Sequence, residues 1–159
     1  MSEVNFYIDT VCENTTGFDS GYKVFNEYLH KNADSATFHF ILDSETDGLI
    51  AYFSLLSSAL LYGDPSNLNA IPAIELKMFA LDKRYHGSEL SSELLDAIIT
   101  TIQLYASKYV GADAIALYSV PATGVVALYK SKGFVEVGGL LTAFKDEFTE
   151  GCIPMYMIL

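Results

Sequence analysis

Positive charge is scarce in this sequence: nine Lys and Arg stand against twenty Asp and Glu in 159 residues, a formal net charge of −11. A polyanion would meet a repelling surface, so a nucleic-acid partner is not expected from this balance. Cysteine is scarce as well. Cys12 and Cys152 alone make no disulfide framework. Long apolar runs are missing: the longest, Leu49 to Tyr62, is broken by Ser54, Ser57 and Ser58 and is shorter than a membrane span requires. No basic segment followed by an apolar one opens the chain, so no secretory signal is read and the expected location is the cytoplasm, with no membrane partner. Repeats, low-complexity tracts and linkers are also absent, which points to a single domain over residues 1–159. What remains is globular composition, 51% hydrophobic and 18% charged.

Periodicity then places the elements. Val4–Ile8 reads as a strand, and apolar residues at Phe18, Tyr22, Phe25, Tyr28 and Leu29 read as a helix over Phe18–Ala33. Ala36–Leu42 is a strand, Asp47-Gly48 a hairpin turn, and Leu49–Leu56 its returning partner. A loop around Gly63-Asp-Pro65-Ser-Asn67 follows. Leu60, Leu61, Tyr62 and Leu68 in the Leu55–Pro72 region suit the wall of an acceptor pocket or a contact in a homodimer. Ile74–Leu81 is a buried strand. A long helix over Ser88–Tyr109 carries one stripe of Leu90, Leu94, Leu95, Ile98, Ile102, Tyr105 and Tyr109, with Gly111 placed to end it. Ala114–Val120 is a strand, Thr123–Ser131 a helix, and Phe134–Val137 and Met155–Leu159 close the sheet. The order β-α-β-β-β-α-β-α-β-β defines an α/β fold with a mixed sheet.

The chemistry concentrates at Leu81-Asp-Lys-Arg-Tyr-His-Gly-Ser-Glu-Leu-Ser91, where a buried strand turns through a short loop into the long helix. The first turn of such a helix offers unpaired N–H groups and a positive dipole end, which suit a phosphate. Lys77, Lys83, Arg84, Lys130 and Lys132 are five of the nine basic residues, and all fall in the two segments suspected of lining the site. That concentration favours an anionic ligand; ordinary solvated lysines are the plain alternative.

These residues resemble the GNAT superfamily of acyl-CoA-dependent N-acetyltransferases over nearly the whole chain. Phe79-Ala-Leu-Asp82 stands where the family has roughly Leu-Ala-Val-Asp. Tyr85-His-Gly-Ser-Glu-Leu-Ser91 stands where it has Tyr-Gln-Gly-Lys-Gly-Leu-Gly, followed by Leu94-Leu95. Leu128-Tyr129-Lys-Ser-Lys-Gly133-Phe134 matches the later aromatic-to-Gly-Phe signature, and Phe25-Asn-Glu-Tyr-Leu29 is similar to a motif of the toxin-like branch that acylates aminoacyl-tRNA. The resemblance implies a mostly antiparallel sheet flanked by helices, acetyl-CoA as co-substrate, no metal, and direct transfer to a primary amine. It assigns Tyr129 as the acid that protonates the departing thiolate, at a pKa near 10. Phe79, Ala80, Leu81, Arg84, His86, Gly87, Ser88, Glu89, Leu90 and Ser91 are then the groups around the coenzyme.

Other groups are read from their own chemistry. Glu75, a carboxylate between Ile74 and Leu76, is a candidate base, with a surface carboxylate as its alternative. His86 has a suitable pKa for a base, yet its loop position suits a phosphate contact or a cap. His30 and His39 have no Cys or acid at ligand spacing, so a metal site is not expected.

The loop departs from the family where it matters. His86 replaces a Gln or Arg, Glu89 the central glycine and Ser91 the final small residue. Two like charges about 4 Å apart at an effective dielectric near 20 repel by roughly 4 kcal/mol, nearly three orders of magnitude in affinity. Relief needs Glu89 to point outward with Lys83 or Arg84 neutralising it; otherwise its carboxylate fills the anion site. Two readings stay open: an N-acetyltransferase acting on a small cationic amine or a protein amine, and a GNAT-like pseudoenzyme or protein-interaction module. Toxin-like action on tRNA is disfavoured by the acidity.

Overall fold

A computed structural model describes residues 3–35, 37–137, 141–142 and 151–159. Strands β1 (Phe6–Asp9), β2 (Phe38–Asp43), β3 (Leu49–Asp64), β4 (Asn67–Leu81), β5 (Ala114–Ser119), β6 (Val135–Glu136), β7 (Leu141–Thr142) and β8 (Ile153–Ile158) alternate with helices α1 (Lys23–Asn32), α2 (Leu90–Tyr105) and α3 (Thr123–Ser131). The sheet order is β1-β2-β3-β4-β5-β8-β6, with β7 beside β3. Among the described ladders β4–β5 is parallel and the others are antiparallel. This is the mixed, mostly antiparallel GNAT-like sheet that the sequence implied.

The chain groups into two compact units, Met1–Leu55 with Lys77–Leu94, and Leu56–Leu76 with Leu95–Leu159. The first is built on aromatic packing. Tyr52, fully buried, stacks on Phe38 at 5.3 Å and meets Phe18 edge-on at 5.7 Å. Its hydroxyl donates to the carbonyl of Phe25 at 2.6 Å, so the polar end is satisfied inside the core. In the second, Leu60, Ala73, Ala114 and Ala116 form a cluster in which small side chains let neighbouring strands pack closely.

Several boundaries differ from the sequence reading, each for a local reason. The first helix starts at Lys23 rather than Phe18, because Gly21 is left-handed (φ +81°) and Tyr22 extended. Phe18 keeps its core role as a buried loop residue. Ala36, which opens the strand read from sequence, lies outside the described residues. The Asp47-Gly48 hairpin forms as expected: Asp47 adopts φ 58°, and the Asp43 N–H donates to the carbonyl of Gly48.

The expected loop after Leu56 is instead a long hairpin of β3 and β4, turning at Pro65-Ser66. Gly63 makes this possible, since at φ +101° a Cβ would lie 2.7 Å from the Asn67 carbonyl oxygen. Leu60, assigned to a pocket wall or dimer contact, is fully buried in strand packing, whereas Tyr62 and Leu68 are exposed.

Leu94, Leu95, Ile98 and Ile102 form the expected buried stripe on α2. Past Tyr105 the helix widens to a π-turn over Ala106–Val110, closed by Gly111 at φ 64°. The wider turn rotates Tyr109 off the stripe, and it is 71% exposed.

Candidate active site

In the first unit, β4 delivers the chain into the candidate loop. Asp82 ends the strand run; its N–H donates to the Ile50 carbonyl of β3 at 2.9 Å. Successive main-chain groups of a strand face opposite sides. The N–H groups of Phe79 and Leu81 therefore face away from β3, and that of Ala80 faces toward it. On the side away from β3, the ladder with β5 pairs Ala73–Leu76 with Ala114–Leu117 and goes no further. Of the three strand residues expected around the coenzyme, Phe79 and Leu81 can offer main-chain donors on that side, and Ala80 is removed by alternation.

Lys83–Tyr85 form a 3₁₀ turn capped by Asp82, whose side chain accepts the Arg84 N–H. His86 follows, and its Nε2 lies 3.0 Å from the Leu81 carbonyl oxygen, so this nitrogen is the donor. The ring therefore caps the strand's open side. Gly87 is left-handed at φ +74°, and nothing lies within 4 Å of where a Cβ would stand. Ser88 Oγ donates to the Tyr85 carbonyl at 2.6 Å and accepts the Leu90 N–H at 3.4 Å. Leu90 is buried, anchoring the first turn of α2. Ser91 Oγ reaches back to the Ser88 carbonyl at 3.5 Å. The N–H groups of Gly87, Ser88, Glu89 and Ser91 have no acceptor among the described residues. Together they form an open cradle of donors at a helix start.

Glu89 resolves one question posed by the sequence. Its side chain is exposed and makes no ion pair or hydrogen bond among the described residues. It neither fills the cradle by bonding these amides nor is neutralised by Lys83 or Arg84. Lys83 Nζ pairs with Asp19 at 2.7 Å, and Arg84 Nε with the buried Asp82 at 2.9 Å. In the second unit, Lys130 pairs with Glu136 at 3.1 Å and Lys132 with Asp96 at 2.8 Å. The basic concentration read as favouring an anion is thus largely engaged by carboxylates.

Asp19 and Asp82 went unassigned in the sequence reading. Burial pushes the Asp82 carboxyl up, but hydrogen bonds from the Arg84 side chain and N–H and from the Asp19 N–H outweigh it, leaving it below the ordinary value. Asp19 is likewise held low, chiefly by Lys83, with Asn26 and the Gly21 N–H adding to it. The signal was present: Asp82 closes the Phe79-Ala-Leu-Asp82 motif, and Asp19-Ser-Gly21 is turn-forming sequence.

In the second unit, Glu75 lies in the β4–β5 ladder opposite Ala116 and is 3% exposed. The surface-carboxylate alternative is therefore excluded. Tyr129 sits on α3, half-buried, with its ring edge-on to Phe134 at 5.7 Å. Burial pushes its hydroxyl up to about 12, above the value near 10 expected from sequence. Among the described residues no group of three His, Cys, Asp or Glu side chains could hold a metal, and no helix is long and apolar enough to cross a membrane.

No protein-family model matches the chain, and no curated protein does. Solved structures do. AtaTR bound with AcCoA is 16% identical, covering 99% of this chain and 95% of that one, at a TM-score of 0.73. The KacTA–DNA complex is 20% identical, covering 97% and 93%, at 0.69. AtaT complexed with acetyl-methionyl-tRNAfMet is 17% identical, covering 92% and 98%, at 0.68. The likeness is one of fold, and at that level it bears out the GNAT resemblance; structures described as toxins are among those that share the fold.

These structures overturn one expectation. The inference from net charge that nucleic acid is not a partner does not stand, because chains of the same fold are found with DNA and with a charged tRNA. The objection to tRNA-directed action fails on the same ground. Net charge sums over the whole surface, whereas phosphates meet a local field, so −11 for the chain does not decide what one face binds.

Proposed function

We propose that this protein is an acetyltransferase that binds acetyl-CoA at the start of α2 and moves the acetyl group to a primary amine. The observation that carries this reading is the donor cradle: unpaired N–H groups at Gly87, Ser88, Glu89 and Ser91 around a left-handed glycine with free space before it. A diphosphate fits such a cradle, since amide dipoles complement its charge without a basic side chain. AcCoA in AtaTR supports the same ligand here. His86 closes the rim of the loop, and Leu90 fixes the helix start beneath it. Phe79 and Leu81 offer N–H groups to the pantetheine arm.

The thioester supplies an activated acetyl carbon, and the chain's part is to hold it and manage protons. We assign Tyr129 to the leaving sulfur. At a pKa of about 12 its proton is held too firmly to pass fully to a free thiolate of pKa about 8.5, a step uphill by about 5 kcal/mol. Tyr129 therefore acts as a hydrogen-bond donor that stabilises charge growing on sulfur as the bond breaks. Glu75 takes the amine's proton through water, since its carboxylate is buried.

The α-amine of an aminoacyl-tRNA is itself a primary amine, so the complex of AtaT with acetyl-methionyl-tRNAfMet supports this acceptor chemistry. The test is transfer of radiolabelled acetyl from acetyl-CoA to a panel of a polyamine, lysine-bearing protein and aminoacyl-tRNA. Label on one of them is expected. No label on any, from protein that binds no acetyl-CoA, leaves the pseudoenzyme reading.

A further inference from the structure

Lys83 and Arg84 come just before the cradle in the chain, where cations would ordinarily be read as phosphate ligands. Their contacts point elsewhere. Asp82 Oδ1 accepts both the N–H and the Nε–H of Arg84, at 3.0 and 2.9 Å, while its Oδ2 accepts the Asp19 N–H at 3.1 Å. Asp19 returns the contact twice: its carbonyl accepts the Lys83 N–H at 2.8 Å, and its Oδ2 meets Lys83 Nζ at 2.7 Å. Asp19 Oδ1 accepts the Gly21 N–H at 2.8 Å and Asn26 Nδ2 at 2.9 Å. Asn26, in the first turn of α1, accepts in turn from the N–H and hydroxyl of Ser20. A Cβ at Gly21 would lie 3.9 Å from both His86 and Lys83, so the two segments lie side by side.

From this we infer that Asp19 and Asp82 form a clasp that positions the coenzyme loop by fastening it to the segment before α1. Lys83 and Arg84 serve as the clasp's counter-ions and do not ligate phosphate. The inference rests on the proposed coenzyme site and deepens it. Two acids and two bases cancel, so the loop carries no net side-chain charge from this network. Main-chain amides are left to hold the diphosphate. Asp82 is the hub, 1% exposed and bonded on both oxygens. Asp19 and Lys83 are its solvent-facing half, with side chains 40% and 59% exposed, and can be replaced without opening the core.

The test is a double-mutant cycle on Asp19→Asn and Lys83→Met, read by titration calorimetry with coenzyme A, steady-state kinetics and amide exchange over Asp82–His86. Each single variant should raise Kd and KM about fivefold, and the double variant no more than either, because both remove one contact. kcat at saturating acetyl-CoA should stay within twofold, which general loss of folding would not allow. Exchange at the Lys83 amide should accelerate in both singles. If Lys83→Met weakens binding while Asp19→Asn leaves it unchanged or tightens it, Lys83 touches phosphate and the clasp is wrong. Fully multiplicative losses, or unchanged Kd in both singles, overturn it equally. Should the unmutated protein bind no coenzyme, the proposed site fails, and amide exchange judges the clasp by itself: unaltered exchange in both singles refutes it.

Discussion

Two buried carboxylates, Asp82 in the first compact unit and Glu75 in the second, have different settings. In the first, the buried Asp82 carboxylate is bonded by Arg84 in the loop and by the Asp19 N–H of the segment before α1, and the result is a main chain held open with donors to spare. In the second, Glu75 is buried on the β4–β5 ladder opposite Ala116, and the Tyr129 ring meets Phe134 edge-on. A carboxylate tied by cations and N–H groups shapes a backbone. A phenol removed from water holds its proton more tightly, as Tyr129 does. The first arrangement suits holding an anion, the second handling protons.

The sharpest way to break this division is to remove one group from each side and ask which kinetic constant moves. Tyr129→Phe should lower kcat about a hundredfold, the usual cost of one donor to developing charge, with little change in KM for acetyl-CoA. Equal rates would move the role to another residue. Gly87→Ala should do the reverse. A non-glycine residue at φ +74° costs about 1–2 kcal/mol, so the loop relaxes and coenzyme affinity drops about tenfold while kcat is retained. Unchanged affinity would show that the loop does not need this conformation.

Glu89→Gln should tighten coenzyme binding about fivefold at low salt, with the gain shrinking as salt rises, because an exposed charge is screened. No gain would mean that the carboxylate points away from the diphosphate. The smallest effect concerns stability. His39 is buried against Phe53, and burial lowers its pKa below 6.5, partly offset by a hydrogen bond with the main chain of Thr37. As pH falls through 6.5 the unfolded chain takes up a proton that the folded chain resists, so stability declines. Asp82, held below 3.8, adds a second decline only as pH falls through that value. Melting temperature should fall between pH 7 and 5.5, and less so in His39→Gln; matching slopes would clear His39.

Much of the fold was legible because it rests on local pattern. The α2 stripe, the Asp47-Gly48 hairpin, the Gly111 cap and α3 follow from spacing and turn chemistry alone. The β3–β4 hairpin was not, since Leu56–Gly63 alternates poorly and its strand character comes from pairing with distant chain. At the site, the loop and its glycine were visible as a motif. The partners of Lys83 and Arg84 were not: Asp19 lies far back in sequence, and a cation reads the same whether it faces a ligand or a carboxylate.

The central claim is that amides at the start of α2 grip a diphosphate. Titration calorimetry of the folded protein with acetyl-CoA tests it most directly. Micromolar binding with one ligand per chain, competed by coenzyme A, is expected. No heat at millimolar ligand would contradict it.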